Sequence, residues 1–152
     1  MVPRWISSVV ILLLVLIIGG LLGSRIPIFG QAGKVSGTYE LTLTDNSGNI
    51  LNVLATANSE GIIIGTSLPL DCLTGYTLTN GYGTWGIGVE GVQFEVHSLL
   101  FQNGQKVGTV ILRGRGDALS RTGTGELILP PGPQGCAFQG PFKFTTDPVV
   151  AQ

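Results

Sequence analysis

Glu95 and His97 stand two residues apart. On an extended chain residues i and i+2 point to the same side, so a carboxylate would lie beside an imidazole, the beginning of an acid–base pair. The same pair also suits a solvated strand, and no Ser or Cys nucleophile is spaced to join it, so no catalytic residue is assigned. Arg113 and Arg115 form a second set with the same spacing. Two guanidinium forks held side by side can grip a carboxylate or phosphate head while Phe94, Val96 and Ile111 cover an apolar tail. In the plainer alternative these arginines are solvated or paired with Asp117, Glu90 and Glu60 from neighbouring turns. Cys72 and Cys136 are the only cysteines and His97 the only histidine. Three such residues cannot complete a four-ligand zinc site without carboxylates, and neither cysteine sits in a CxxC pair, so neither a metal nor a cofactor is expected.

Nine acidic and eight basic side chains give a net charge of −1. There is no basic surface to hold phosphates, and nucleic acid is not expected as a partner. Between Arg4 and Arg25, Trp5 to Ser24 carries no charge. A helix over such a segment rises about 30 Å, the thickness of a bilayer's hydrocarbon, so it is long enough to be a single membrane anchor. It also has the parts of a signal peptide: a short start with Arg4, an apolar run, and Gly30-Gln31-Ala32 with small residues where signal peptidase needs them. Both readings export the remainder. Residues 1–32 are then a signal peptide or transmembrane anchor and residues 33–152 an exported domain, held outside the cytoplasm by residues 5–24 or secreted or periplasmic after cleavage near Ala32. Basic residues flank the apolar run on both sides, so orientation is read from the signal-like pattern alone.

From Gly33 onward no stretch of ten or more residues has helical apolar spacing; the period is two. Tyr39, Leu41 and Leu43 alternate with polar neighbours, and Asp45 to Asn49 is a turn. Ile50 to Ala57 returns, Asn58 to Gly61 turns again, and Ile62 to Ser67 is a third run. A long loop, Leu68 to Gly83, precedes a fourth run from Thr84 to Val89. Val92 to Phe101 and Lys106 to Arg115 flank Asn103-Gly104, a two-residue hairpin signal. Thr122 to Leu129 and a last strand near Phe138 to Thr145 are separated by Pro130-Pro131-Gly132-Pro133. Two GxGxxG matches, beginning at Gly81 and Gly86, precede strands rather than a helix and are turn glycines. Arg115-Gly116-Asp117, the adhesion tripeptide, is a chance match in a glycine-rich chain.

Eight short antiparallel strands predict an all-β, up-and-down eight-stranded barrel after one N-terminal hydrophobic helix, with a two-sheet sandwich as the alternative. If Asn103-Gly104 makes the tight turn, Gln102 faces Gln105 and Phe94 faces Arg113. The interior would then hold Val92, Phe94, Val96, Ser98 and Leu100 with Val107, Thr109, Ile111, Arg113 and Arg115, and Glu95 and His97 would lie outside. The strand count puts Cys72 and Cys136 in the two longest connections, at the same rim and on opposite sides of the ring. A bond between them would cross that mouth, as a staple or as a lid that leaves the other rim as the entrance. Trp85, Tyr76 and Tyr82 are expected near the capped rim.

The order Gly83-Thr84-Trp85, Val92 to Val96, Leu100-Phe101, Asn103-Gly104, Val107-Gly108-Thr109 and Arg113-Gly114 resembles exported bacterial lipocalin-like proteins of the allene oxide cyclase and dirigent type of barrel. The resemblance covers about Val35 to Phe144. In true lipocalins the Gly-x-Trp motif opens the first strand, whereas here it opens the fourth, so no lipocalin ligand residue carries over. The expected function is non-catalytic binding of a small, largely apolar molecule by Phe94, Val96, Ile111, Arg113 and Arg115. The alternatives are a surface interaction module with a filled barrel and, implied by the resemblance alone, an isomerase or cyclase.

Overall fold

The computed structural model describes residues 36–133 and 135–149. The expected apolar helix and the whole of residues 1–32 lie outside the described residues. Among those described, no helix is long and apolar enough to cross a membrane.

Nine strands follow in order: β1 (Gly37–Asp45), β2 (Ile50–Ala57), β3 (Ile62–Gly65), β4 (Tyr76–Leu78), β5 (Gly81–Gly88), β6 (Gly91–Gln102), β7 (Gln105–Asp117), β8 (Thr122–Ile128) and β9 (Phe142–Pro148). Eight of them close a ring, β1-β2-β3-β5-β6-β7-β8-β9 and back to β1, every pair antiparallel. Closure removes the unpaired edges that a small flat sheet would present, and it disposes of the sandwich alternative. β4 is additional. It pairs with the end of β6, Leu78 opposite Leu100, inside the segment expected to be one long loop. That segment is also shorter than expected, since β5 begins at Gly81, and the last strand begins at Phe142 rather than near Phe138.

Period-two patterning decides which side chains enter. Along β2, Leu51, Val53, Ala55 and Ala57 are buried while Ile50, Asn52, Leu54 and Thr56 are exposed, and Leu41 and Leu43 do the same on β1. Inside, bulk and its absence are matched across strands. Gly114 pairs with Gly125 and Gly116 with Gly123 across β7 and β8, and three phenylalanine rings lie over them. A Cβ at Gly114 would come within 2.8 Å of Phe94, one at Gly116 within 2.8 Å of Phe144, and one at Gly125 within 2.6 Å of Phe142. Glycine is therefore needed there for space, because even a methyl group would collide with a ring. Phe94 meets Phe144 edge to face with centroids 5.6 Å apart. Phe142 and Phe138 continue the aromatic row away from Phe94.

The β6–β7 hairpin corrects the expected interior. Asn103 and Gly104 both have positive φ, 51° and 78°, as a tight two-residue turn requires, and Gln102 does face Gln105. Beyond Phe101–Lys106, however, the register shifts: Leu100 pairs with Gly108, and Val107 is left without a partner on β6. This β-bulge inverts every later residue of β7, since a slip of one moves a side chain to the other face. Val110, Leu112, Gly114 and Gly116 therefore face inward with Val92, Phe94, Val96, Ser98 and Leu100. Thr109, Ile111, Arg113 and Arg115 face outward instead, and Val107 is 42% exposed.

Candidate functional site

Up-and-down order puts the β1–β2, β3–β4, β6–β7 and β8–β9 connections at one rim and the β2–β3, β5–β6 and β7–β8 turns at the other. The first rim is capped. Cys72, between β3 and β4, is bonded to Cys136, between β8 and β9, with Cα atoms 4.5 Å apart, as the strand count predicts. Leu68, Leu70 and Phe138 from the same two segments are buried in the core, so the loops fill the mouth as well as bridge it. The Asp71 carboxylate accepts the Ala137 N–H at 3.1 Å. Asp71 and the two sulfurs lie within 4.8 Å of one another, a spacing that could hold a metal ion, but the disulfide occupies both sulfurs.

Asp45, which sequence reasoning treated only as part of a turn, fastens a third element to this cap. It is buried at the inward end of β1. Its oxygens accept the N–H groups of Ser47 and Asn49 at 2.9 Å, the Asn49 side-chain amide at 2.9 Å and the Gln139 N–H at 3.1 Å. The Asn49 amide above all, and then the backbone donors, hold the Asp45 carboxyl at about 2, below its ordinary 3.8, against the opposing effect of burial.

At the other rim the interior stays partly empty. A cavity of about 300 Å³ is lined by Tyr39, Leu41, Trp85, Phe94 and Phe144, with Ala55, Ala57 and Ile63 giving it width. Such a volume lies at the lower end of the ~300–1,000 Å³ usual for small-molecule pockets. Trp85 belongs here rather than at the capped rim: its indole N–H donates to the Asn58 carbonyl in the β2–β3 turn at 2.9 Å. Tyr82 points outward and is exposed, and Tyr76 of β4 remains at the capped side. The mouth of the cavity is bordered by Asp117, Ala118 and Arg121 of the β7–β8 turn and by Pro148 at the end of β9.

Of the five residues expected to bind a ligand, Phe94 lines this cavity, and Val96 is buried further along the same inward face of β6. Ile111, Arg113 and Arg115 lie on the outside because of the Val107 bulge. There Arg113 pairs with Glu126, its cross-strand neighbour, and Arg115 with Glu90, with side-chain exposures of 53% and 63%. The Arg115–Glu90 pair is one that the plainer sequence reading allows. Glu95 and His97 are outside too, hydrogen-bonded to each other at 2.7 Å and each 46% exposed. Glu95, Arg113, Arg115 and Glu126 border a broader outer groove of about 930 Å³ with Thr84 and Gly86. That groove is open to solvent and its charges already have partners, so it offers a ligand little that water does not. The inner cavity is lined mostly by apolar side chains and lies at the rim opposite the cap, which makes it the better site despite its smaller volume.

Sequence reasoning did not single out Ala55, Ala57, Phe144 or Arg121. Small residues at inward positions next to large ones would have been the signal for the first two. No family model, curated protein or solved structure matches this chain.

Proposed function

We propose that this is an exported, non-catalytic binding module whose barrel holds a small, largely apolar molecule at the open rim. The observation that carries this reading is the cavity of about 300 Å³ between Leu41, Trp85, Phe94 and Phe144. A barrel serving only as a scaffold would fill that space, and a lumen below about 100 Å³ would be too small to use. Binding would follow from moving apolar surface out of water, worth about 25 cal/mol per Å² before the losses of association. The cap at the other rim gives the ligand one way in and out. Export is supported by the uncharged Trp5–Ser24 segment and by a disulfide, which persists in oxidising compartments.

A surface interaction module is the second reading. Leu54, Ile62, Ile64 and Tyr82 are exposed on the outer face of β2, β3 and β5, and Ile64 pairs with Tyr82 across strands. The isomerase or cyclase reading rests on resemblance alone, and it needs polar groups converging on the cavity, where Glu95 and His97 do not point. Native mass spectrometry of the full chain decides between the first two. Binding predicts a second mass that stays with the folded protein and leaves on unfolding. A bare chain mass from every preparation, with no uptake of added apolar molecules, would refute it.

A further inference from the structure

Arg121 is the only cation that lines the cavity among the described residues. It is the last residue of the β7–β8 turn, and its φ of 56° is left-handed, a conformation that arginine adopts rarely and at some cost. Two backbone hydrogen bonds keep it there. The Arg121 N–H donates to the Asp117 carbonyl at 2.9 Å, and its own carbonyl accepts the Thr146 N–H of β9 at 2.9 Å. The turn thus fixes the arginine beside the mouth.

The charges around it are otherwise engaged. Arg113 and Arg115, the two guanidiniums on the preceding strand β7, have carboxylate partners, whereas Arg121 has no ion pair among the described residues. Asp117 also borders the cavity, but one of its oxygens accepts the N–H groups of Leu119 and Ser120 at 2.6 and 3.1 Å, which ties its carboxylate to the turn. A largely apolar chamber bordered by one permanently charged arginine without an ion pair favours a particular kind of molecule.

Resting on the binding reading above, we infer that the ligand is a single-chain amphiphile with an anionic head, the head on the Arg121 guanidinium and the tail between Phe94, Trp85 and Phe144. A tail of about ten carbons fills 300 Å³, taking each methylene as about the ~30 Å³ of a water molecule in the liquid. This is the head-and-tail arrangement that the sequence suggested for Arg113 and Arg115, moved to a cation that lies at the cavity.

The test uses the full chain in nanodiscs, in a Trp5→Phe background so that Trp85 alone reports. The probes are ten-carbon chains brominated at the last carbon, which quench a nearby indole: the carboxylate, the alcohol and the amine. Each is titrated against the parent, Arg121→Asn and Arg113→Gln. Asparagine tolerates the left-handed backbone, so the first substitution removes the charge and keeps the turn. Bilayer partitioning of a given probe is the same for all variants and cancels from the ratios. The expected result is that Arg121→Asn binds the carboxylate about tenfold more weakly, leaves the alcohol unchanged, and that Arg113→Gln changes neither. Equal losses for carboxylate and alcohol make Arg121 a turn residue and overturn the inference. So does no loss for either probe, or tighter binding of the amine, which would make Asp117 the head contact. If no probe quenches Trp85 in the parent, the binding reading itself fails and this inference falls with it.

Discussion

Cys72 and Cys136 arise from connections on opposite sides of the ring, yet their Cα atoms are 4.5 Å apart. The bond spans the barrel mouth because both loops lean inward, carrying Leu68, Leu70 and Phe138 into the core. The cap is consequently a packed lid stapled at its centre. Each half of it is also tied to the barrel or to the other half by a carboxylate: Asp71 to Ala137, and Asp45 to Gln139.

Removing the staple should cost stability without opening the fold. The bond joins residues separated by 64 positions, and closing a loop of that size is worth about 4 kcal/mol in the chain-entropy model. The Cys72→Ser, Cys136→Ser double variant is expected to unfold in urea with a stability lower by about 2–4 kcal/mol. A reducing agent should lower the parent by a similar amount and leave the double variant where it was. If the reductant affects both equally, the loss has another origin.

Asp45 should give the domain an acid limit. Its carboxyl lies at about 2 when folded, below the ordinary 3.8. The stabilisation is therefore complete above about pH 4 and declines as pH falls from there towards 2, because the unfolded chain takes up the proton first. Urea midpoints of the parent should drop across that window. Asp45→Asn should be less stable at pH 7, since the amide cannot accept from every donor around it, and its midpoint should change less between pH 4 and 2. Parallel pH profiles for the two proteins would show that another carboxylate sets the limit.

Val107 offers a sharper test of the register. It is the unpaired residue of the bulge, so deleting it leaves Phe101 opposite Lys106 and Leu100 opposite Gly108, the pairs already present. Every inward side chain of β7 keeps its place. The deletion is expected to fold, with a cost of about 1–2 kcal/mol for the altered local twist, and Arg113 should still couple to Glu126 in a double-mutant cycle. In an unbulged hairpin, where Thr109, Ile111 and Arg113 would face inward, the same deletion would exchange the two faces of β7 and change stability by far more than this.

That bulge also marks where the sequence stopped being legible. The Asn103-Gly104 turn, the alternation on β1 and β2 and the position of both cysteines follow from local chemistry, and they were enough for the ring and its cap. Nothing in Gln105 to Gly108 announces an extra residue. A Cβ on Gly108 would collide with Pro130, so this stretch is shaped by a partner some twenty positions on, which no local pattern reveals. One unread residue was enough to put Ile111, Arg113 and Arg115 on the wrong side. Phe94, on the strand that does not bulge, was placed correctly. β4 escaped for a related reason: three residues, Tyr76–Leu78, are too few to show alternation, and only the end of β6 makes them a strand.

Filling the cavity should separate folding from binding. Ala55 and Ala57 lie on neighbouring inward positions of β2 and both line the chamber. Changing both to leucine adds six carbons, roughly 180 Å³ at the ~30 Å³ taken above for each methylene, and leaves little more than about 100 Å³. The added groups occupy vacant space, so the melting temperature is expected to hold or to rise, as cavity-filling substitutions commonly add about 0.5–2 kcal/mol. Overpacking would instead lower it, and thermal unfolding tells the two apart. In the stably folded variant the second mass seen by native mass spectrometry should disappear, and brominated ten-carbon chains should no longer quench Trp85. A variant that folds well and still binds would mean that the molecule sits elsewhere, on the outer groove or the exposed face around Ile64 and Tyr82.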